Sequence, residues 1–221
     1  MKQKKQQKQY IHEQTPKTVF IRNISAIAFL LLLYGLAFYI DVRGRDSLSW
    51  MDPNQYYRFA VELYEGAASI NSFELPSIFP FLIYPFTAIS TSIPSALWVN
   101  FFFAVTLAIA VYHLRKELNI RIYPAVLLTV ILACPLLIGL SRELYLEYAL
   151  TAIVAMQFAL WFKTNDFTKS KFNVWFAVLF AIGIMTKMTY PLFFIFPFLG
   201  LGYIFIRKKQ FRSLFKFVIT F

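Results

Sequence analysis

Residues 75 to 114 form a run of 40 residues without Asp, Glu, Lys or Arg. One helix of that length would measure about 60 Å, roughly twice the hydrocarbon thickness of a bilayer. Pro76, Pro80, Pro85 and Pro94 interrupt the run, and proline ends or kinks a helix. The run therefore predicts a proline-broken segment that lies at the membrane interface or packs against a bundle, followed by one membrane span.

The composition favours an all-α polytopic membrane protein. Apolar residues make up 59% of the chain and charged residues 15%, whereas a soluble domain carries about 25% charged residues. This apolar content excludes a disordered chain and argues against a soluble globule. The single cysteine, Cys134, excludes an internal disulfide framework.

Six membrane spans are predicted from the apolar runs, with the start of a seventh near Leu214. The spans are Ile24–Ile40, Ser95–His113, Ile122–Leu140, Tyr148–Phe162, Phe172–Thr186 and Met188–Ile206. Residues 1 to 18 are predicted to form a disordered basic cytoplasmic tail, and residues 19 to 221 one transmembrane module. Its first outer loop covers residues 41 to 94 and contains a juxtamembrane amphipathic helix.

The basic residues predict the orientation of the chain. With a cytoplasmic N-terminus, 17 of the 22 Lys and Arg residues fall on the cytoplasmic side of the predicted spans. This agrees with the positive-inside rule. The net charge of +11 is therefore attributed to membrane topology and predicts no nucleic-acid partner. The expected location is the plasma or inner membrane.

The first outer loop contains a predicted helix that starts at Asp52. Asp52 at the N-cap and Pro53 at the first helical position are typical of a helix start. The helix runs for about four turns and ends near Gly66, with Arg58 and Glu62 placed to pair at i, i+4. Asp52 then has two interpretations, a plain helix cap or a general base toward an acceptor hydroxyl or amine.

Three further charged residues lie on the predicted outer side. Glu143 and Glu147 are four residues apart, so a helix would put them on one face, either as interfacial charges or as functional carboxylates. Lys187 is the one charged residue between Lys171 and Arg207. It is interpreted either as a snorkelling side chain or as a cation for a lipid phosphate, with Arg58 as a second cation.

The order of these motifs resembles the GT-C superfamily of glycosyltransferases, closest to the protein mannosyltransferase and aminoarabinose transferase branch. The resemblance covers Val19 to about Ile206. It rests on the motif that opens at Asp52-Pro53, the prolyl segment, Glu147 in a later outer loop, and Gly183-Ile184-Met185-Thr186-Lys187. Two positions depart from the family pattern. Pro53 stands where the family often has an acidic residue, and Glu147 stands where it usually has Asp. Both departures weaken the case for a metal. Family members are longer, so the chain is expected to correspond to their N-terminal catalytic module.

The resemblance implies an inverting transferase that uses a polyprenyl-phosphate-linked sugar on the extracytoplasmic side, with a lipid, glycan or protein as acceptor. Asp52 would be the general base. Glu147 would orient the acceptor or share a divalent cation with Asp52. No other cofactor is implied. The remaining implied roles are phosphate binding by Lys187, Arg58 and Arg142, and contact with the sugar or acceptor by Tyr56, Tyr57 and Glu143. The tyrosines also fit an interfacial aromatic belt.

Two other functional classes remain open. One is a fragment of a transporter or flippase, which a helix broken within the membrane would favour. The other is a non-catalytic membrane subunit, which would be favoured if Asp52, Glu147 and Lys187 shared no cavity.

Overall fold

The described residues of the computed structural model are 16 to 68, 78 to 165, 167 to 209 and 215. These ranges contain nine α-helices and no β-strand, which confirms the all-α prediction for this part of the chain. The helices are α1 (Pro16–Val42), α2 (Met51–Glu65), α3 (Phe79–Thr87), α4 (Ile93–Glu117), α5 (Pro124–Leu132), α6 (Pro135–Ser141), α7 (Leu146–Thr164), α8 (Ser170–Thr186) and α9 (Ile195–Arg207). A 3₁₀ turn, Tyr190–Phe193, precedes α9.

Helices α1 and α4 are each long and apolar enough to cross a membrane. The apolar part of α1 is Val19–Val42, with 24 residues, and α4 has 25. Since α1 begins at Pro16, it starts inside the segment predicted as a tail. Residues 1 to 15 and the predicted seventh span, except Phe215, lie outside the described residues. The described chain thus has two helices that could span a membrane, or three if α5 and α6 count as one span.

The third predicted span, Ile122–Leu140, is not one continuous helix. It is divided into α5 and α6, whose axes differ by 67°. Pro135 follows the break and has no N–H to continue the helical hydrogen bonds. The N–H groups of Ala133 and Cys134 bond back to the carbonyls of Thr129 and Ile131, so the end of α5 is satisfied locally.

The sixth predicted span, Met188–Ile206, is also interrupted. Its first part forms the 3₁₀ turn that contains Pro191, and α9 begins only at Ile195. Tyr190 in this turn is fully buried against Gly183 of α8, where an added Cβ would lie 2.3 Å from the tyrosine ring. The close approach of this ring requires glycine at position 183.

The core of the bundle is built around α4, which packs against α1, α3, α5 and α7. Phe38 of α1, Phe79 and Ile83 of α3, and Leu97 of α4 are completely buried there. The prolyl segment was predicted to dip into the interface or pack against the bundle. Its described part, α3, packs between α2 and α4.

Loops that are distant in sequence meet where α1 ends and α7 begins. We call this the Asp52 end of the bundle and define it as residues 41–52, 141–148 and 185–188. Arg45 pairs with Glu143, and Glu147 pairs with Lys187, which joins the three segments. At the other end, the Tyr123 hydroxyl donates to the Arg22 carbonyl. The predicted orientation in a membrane stays a prediction.

Candidate functional site

A cavity of about 310 Å³ opens at the Asp52 end. It brings together three of the residues singled out in the sequence, Asp52, Glu147 and Lys187, with the predicted sugar contact Tyr56. Its complete lining is Asp52, Tyr56, Tyr145, Leu146, Glu147, Thr186, Lys187 and Met188. The side chains come from the beginnings of α2 and α7 and from the end of α8, so three helix termini converge on one cavity.

The sequence predicted Asp52 as the N-cap of α2, and this is wrong, because Asp52 lies in the first turn of the helix. The helix begins one residue earlier, at Met51, and the N-cap is Trp50 in an extended conformation with no side-chain cap hydrogen bond. The predicted helix end is confirmed, because Gly66 caps α2 with φ of 71°. Within the described residues the Asp52 carboxylate has no hydrogen bond or ion pair, so it faces the cavity without the bond that a pure cap would make.

Glu147 and Lys187 form an ion pair inside the cavity, with Nζ 2.7 Å from Oε1. Their side chains are 48% and 37% exposed, respectively, so both remain accessible from the cavity. Partial burial raises the pKa of Glu147, but its hydrogen bond from Lys187, a backbone hydrogen bond and the Lys187 charge outweigh burial. The net pKa of Glu147 lies below the usual value.

Tyr56 lies one helical turn after Asp52 and forms the floor of the cavity. Its side chain is buried and meets Phe79 edge to face, with ring centroids 5.4 Å apart. Burial raises the pKa of Tyr56 to about 12, with smaller contributions from the charges of Asp52 and Glu147. The phenol therefore stays protonated at physiological pH and can donate a hydrogen bond.

Glu143, predicted to contact a sugar or acceptor, lies outside the cavity and in the protein interior. Its carboxylate accepts hydrogen bonds from the Arg45 guanidinium at 2.8 Å and from the hydroxyl and N–H of Ser49. Asn100 donates to the backbone carbonyls of Ser141 and Glu143. The prediction that a helix puts Glu143 and Glu147 on one face is wrong, because α7 begins only at Leu146.

Arg142, predicted to bind phosphate, also points away from the cavity. Its Nε lies 2.6 Å from Oδ2 of Asp41, and its guanidinium lies over the Phe38 ring at 5.0 Å. The side chain is only 15% exposed. Arg45 and Arg142 thus pair reciprocally with Glu143 and Asp41, and these pairs attach the loop after α1 to the turn before α7. We call these four residues the loop clamp.

Two other predicted contacts are not part of the cavity. Arg58 is 83% exposed and pairs with Glu62 at 2.9 Å, as the spacing predicted. The Tyr57 hydroxyl donates to the backbone carbonyl of Thr91. Both side chains belong to α2, but neither is among the residues that line the cavity.

Sequence reasoning missed four cavity residues, Tyr145, Leu146, Thr186 and Met188. Each lies within two positions of a residue that was singled out, so proximity in sequence was the available signal. It also missed Arg45 and Ser49, whose partner Glu143 lies 98 and 94 positions away. Nothing in the local sequence pattern indicates such a distant pairing.

The cavity lining offers few protein ligands for a divalent cation. A hard divalent cation takes about six oxygen ligands, whereas the lining offers two carboxylates, one of them in contact with the Lys187 ammonium. Across the described ranges no group of three or more His, Cys, Asp and Glu residues is placed to hold a metal.

Comparison of the chain with family models, with curated proteins and with solved structures finds no match. The function is therefore inferred from the chemistry of the cavity.

Proposed function

We propose that the chain is an integral membrane glycosyltransferase that transfers a sugar from a polyprenyl-phosphate donor to an acceptor hydroxyl or amine. The acceptor belongs to a lipid, a glycan or a protein. The observation that carries the proposal is the shared cavity of Asp52, Glu147 and Lys187. An unpaired carboxylate, a second carboxylate and an ammonium are the groups that such a transfer requires.

Asp52 is the general base, because it is the cavity carboxylate without a partner among the described residues. It removes the proton of the acceptor O–H or N–H while the acceptor atom attacks the anomeric carbon of the sugar. The bond between that carbon and the phosphate oxygen breaks, and polyprenyl phosphate leaves with the electron pair. Because the attack comes from the side opposite the leaving group, the anomeric configuration is inverted.

Lys187 stabilises the charge that develops on the leaving phosphate. An ammonium is a point charge with three donors, which suits a phosphate group. Tyr56 donates a hydrogen bond from the floor of the cavity, and Glu147 orients the acceptor. The proposed steps do not use Arg58, Arg142 or Glu143, because these three side chains lie outside the cavity.

The proposed membrane arrangement is six spans with the N-terminus in the cytoplasm and the cavity on the extracytoplasmic side. Two observations support it. First, α1 and α4 have the required length and apolar character. Second, four of the five Lys and Arg residues predicted to lie outside are at the Asp52 end, namely Arg43, Arg45, Arg142 and Lys187. The shorter helices α8 and α9 would cross with flanking residues. A cavity at this end meets a lipid-linked donor at the membrane surface.

The bend between α5 and α6 favours a second candidate, a transporter or flippase fragment. Broken helices in transporters place polar groups or helix ends around a substrate at the membrane midplane. Here the cavity beside the break is lined by Leu30, Leu33, Tyr34, Thr129, Leu132 and Ala133, none of which is charged. The charged groups instead converge at the Asp52 end, so the transferase is the better-supported function.

Replacement of Asp52 by Asn tests the proposal. The change removes the base but keeps the size and hydrogen-bonding capacity of the side chain. We expect transfer from polyprenyl-phosphate sugar to fall by about 10²- to 10⁴-fold, with unchanged thermal unfolding in detergent. Glu62→Gln, which neutralises a carboxylate of the same helix that lies outside the cavity, is the matched control. Undiminished transfer by Asp52→Asn would contradict the assignment.

A further inference from the structure

The Glu147–Lys187 ion pair occupies the position in which Lys187 would meet a donor phosphate. The two charged atoms are 2.7 Å apart, and both side chains line the cavity. If the phosphate bound beside an unchanged pair, two anions would share one ammonium and repel each other. In the structure, the charge of Lys187, the proposed phosphate-binding residue, is therefore already neutralised by Glu147, the residue proposed to orient the acceptor.

The backbone on both sides of the pair is fixed, so the side chains are the parts that can separate. The N–H of Lys187 donates to the Gly183 carbonyl, and the Lys187 carbonyl accepts from the Tyr190 N–H, which fixes the end of α8. Glu147 lies in the first turn of α7. A helix N-terminus favours a negative charge, so the carboxylate that leaves Lys187 remains at a position that suits an anion.

We infer that a lipid phosphate displaces Glu147 from Lys187, so that binding of the donor releases the carboxylate that receives the acceptor. This inference rests on the proposed function and assigns an order to it: donor first, acceptor second. Before the donor arrives, Lys187 is occupied and Glu147 cannot orient an acceptor. Once the phosphate is bound, Glu147 is free to turn toward the space near Asp52 and Tyr56.

The test is a double-mutant cycle on the binding of farnesyl phosphate, measured by isothermal titration calorimetry in detergent at constant ionic strength. Lys187→Gln should weaken binding by about 10- to 150-fold, as expected for the loss of one charge-assisted phosphate contact. Glu147→Gln should strengthen binding by about 2- to 10-fold. The phosphate then no longer has to break the Glu147–Lys187 ion pair, whose free energy is that of a solvent-accessible pair, and the repulsion between Glu147 and the phosphate is also removed. The double variant should bind like Lys187→Gln.

Glu62→Gln is the matched control, since it also removes one negative charge but lies outside the cavity, paired with Arg58. It should leave the affinity for farnesyl phosphate unchanged. An affinity of Glu147→Gln equal to or below that of the wild type would overturn the inference. The inference would also be overturned if Glu147→Gln strengthened binding equally in the Lys187→Gln background, because the gain would then not act through Lys187. It would likewise be overturned if neither the wild type nor Glu147→Gln bound farnesyl phosphate.

Transfer assays on the same variants separate this inference from the proposed function. Suppose Glu147→Gln binds farnesyl phosphate more tightly, this gain depends on Lys187, and neither the wild type nor any variant transfers sugar. The phosphate would then displace the ion pair as inferred, but the protein would not be a transferase. Additive effects on binding, with transfer still lost in Asp52→Asn, would leave a transferase in which the ion pair does not control the donor. Inorganic phosphate as a second probe shows how much of the binding the headgroup alone supplies.

Discussion

At the scale of single residues, Glu143 and Glu147 show how position decides the chemistry of a carboxylate. Glu143 lies in the turn before α7, is buried, and accepts from Arg45 and Ser49. Glu147 lies one residue inside α7, is half exposed, and has Lys187 as its side-chain partner. Four positions of sequence thus separate a residue that joins two loops from one that faces the cavity.

The lowered pKa of Glu147 predicts how the ion pair contributes to stability as the pH changes. Because the pKa is lower in the folded chain than in the unfolded chain, the contribution is present above the ordinary carboxyl pKa. It is lost as the pH falls through the folded value. Wild type should exceed Glu147→Gln in stability at neutral pH by less than about 1 kcal/mol, since the pair is accessible to solvent.

Thermal unfolding of both proteins between neutral and acidic pH measures this difference, which should shrink toward zero in acid. In the Lys187→Gln background the same comparison should show little change with pH, because the partner is missing. A stability difference that is constant, or that grows on acidification, would contradict the assigned ion pair.

At the scale of the helices, the loop clamp connects the elements that carry the two cavity carboxylates. Ser49, which bonds to Glu143, is three positions before Asp52, and Glu143 is four positions before Glu147. The clamp therefore fixes the start of α2 relative to the start of α7. Glu143→Ala should destabilise the fold by about 1–3 kcal/mol, because it removes the carboxylate that accepts from Ser49 and pairs with Arg45, which keeps only the Arg142 carbonyl.

Thermal or denaturant unfolding in detergent measures this effect. Glu62→Ala is the matched control, because it breaks an exposed i, i+4 pair worth only about 0.3–0.5 kcal/mol. The double variant Arg45→Ala and Glu143→Ala should cost less than the sum of the single variants, since their interaction is counted twice in that sum. Equal effects of Glu143→Ala and Glu62→Ala would show that the clamp adds no stability.

The elements also show how far the sequence could be interpreted. Apolar runs located α1, α4 and α7, and the Asp-Pro and Gly signals placed α2 to within one residue at its start, because these features are local. Pro135 and Pro191 interrupt apolar runs that look continuous by composition, so two predicted spans were drawn without their breaks. The pairing of Arg45 with Glu143 depends on the packing of α1 against the rest of the bundle, which no local pattern contains.

At the scale of the whole molecule, the charges sort along the bundle. Asp41, Asp52, Glu143 and Glu147 all lie at the Asp52 end, and each of them except Asp52 has a basic partner there. Within the described part of the chain, Asp52 and Asp46 are the carboxylates of this end without a hydrogen bond or ion pair, and of these two only Asp52 lines the cavity. The proposed orientation places this end on the extracytoplasmic side, where the proposed transfer takes place.

One measurement tests both the sidedness and the donor site. Met188 lines the cavity and is 70% exposed, so Met188→Cys in a Cys134→Ala background reports on the cavity directly. A membrane-impermeant maleimide should label it in intact cells, and polyprenyl-phosphate sugar should slow the labelling of the purified protein in detergent. Ser90→Cys, exposed outside the cavity, should be labelled from outside without protection, and Thr168→Cys only after permeabilisation. Labelling of Met188→Cys that needs permeabilisation, or that the donor leaves unchanged, would contradict an outward-facing cavity that binds a lipid-linked sugar.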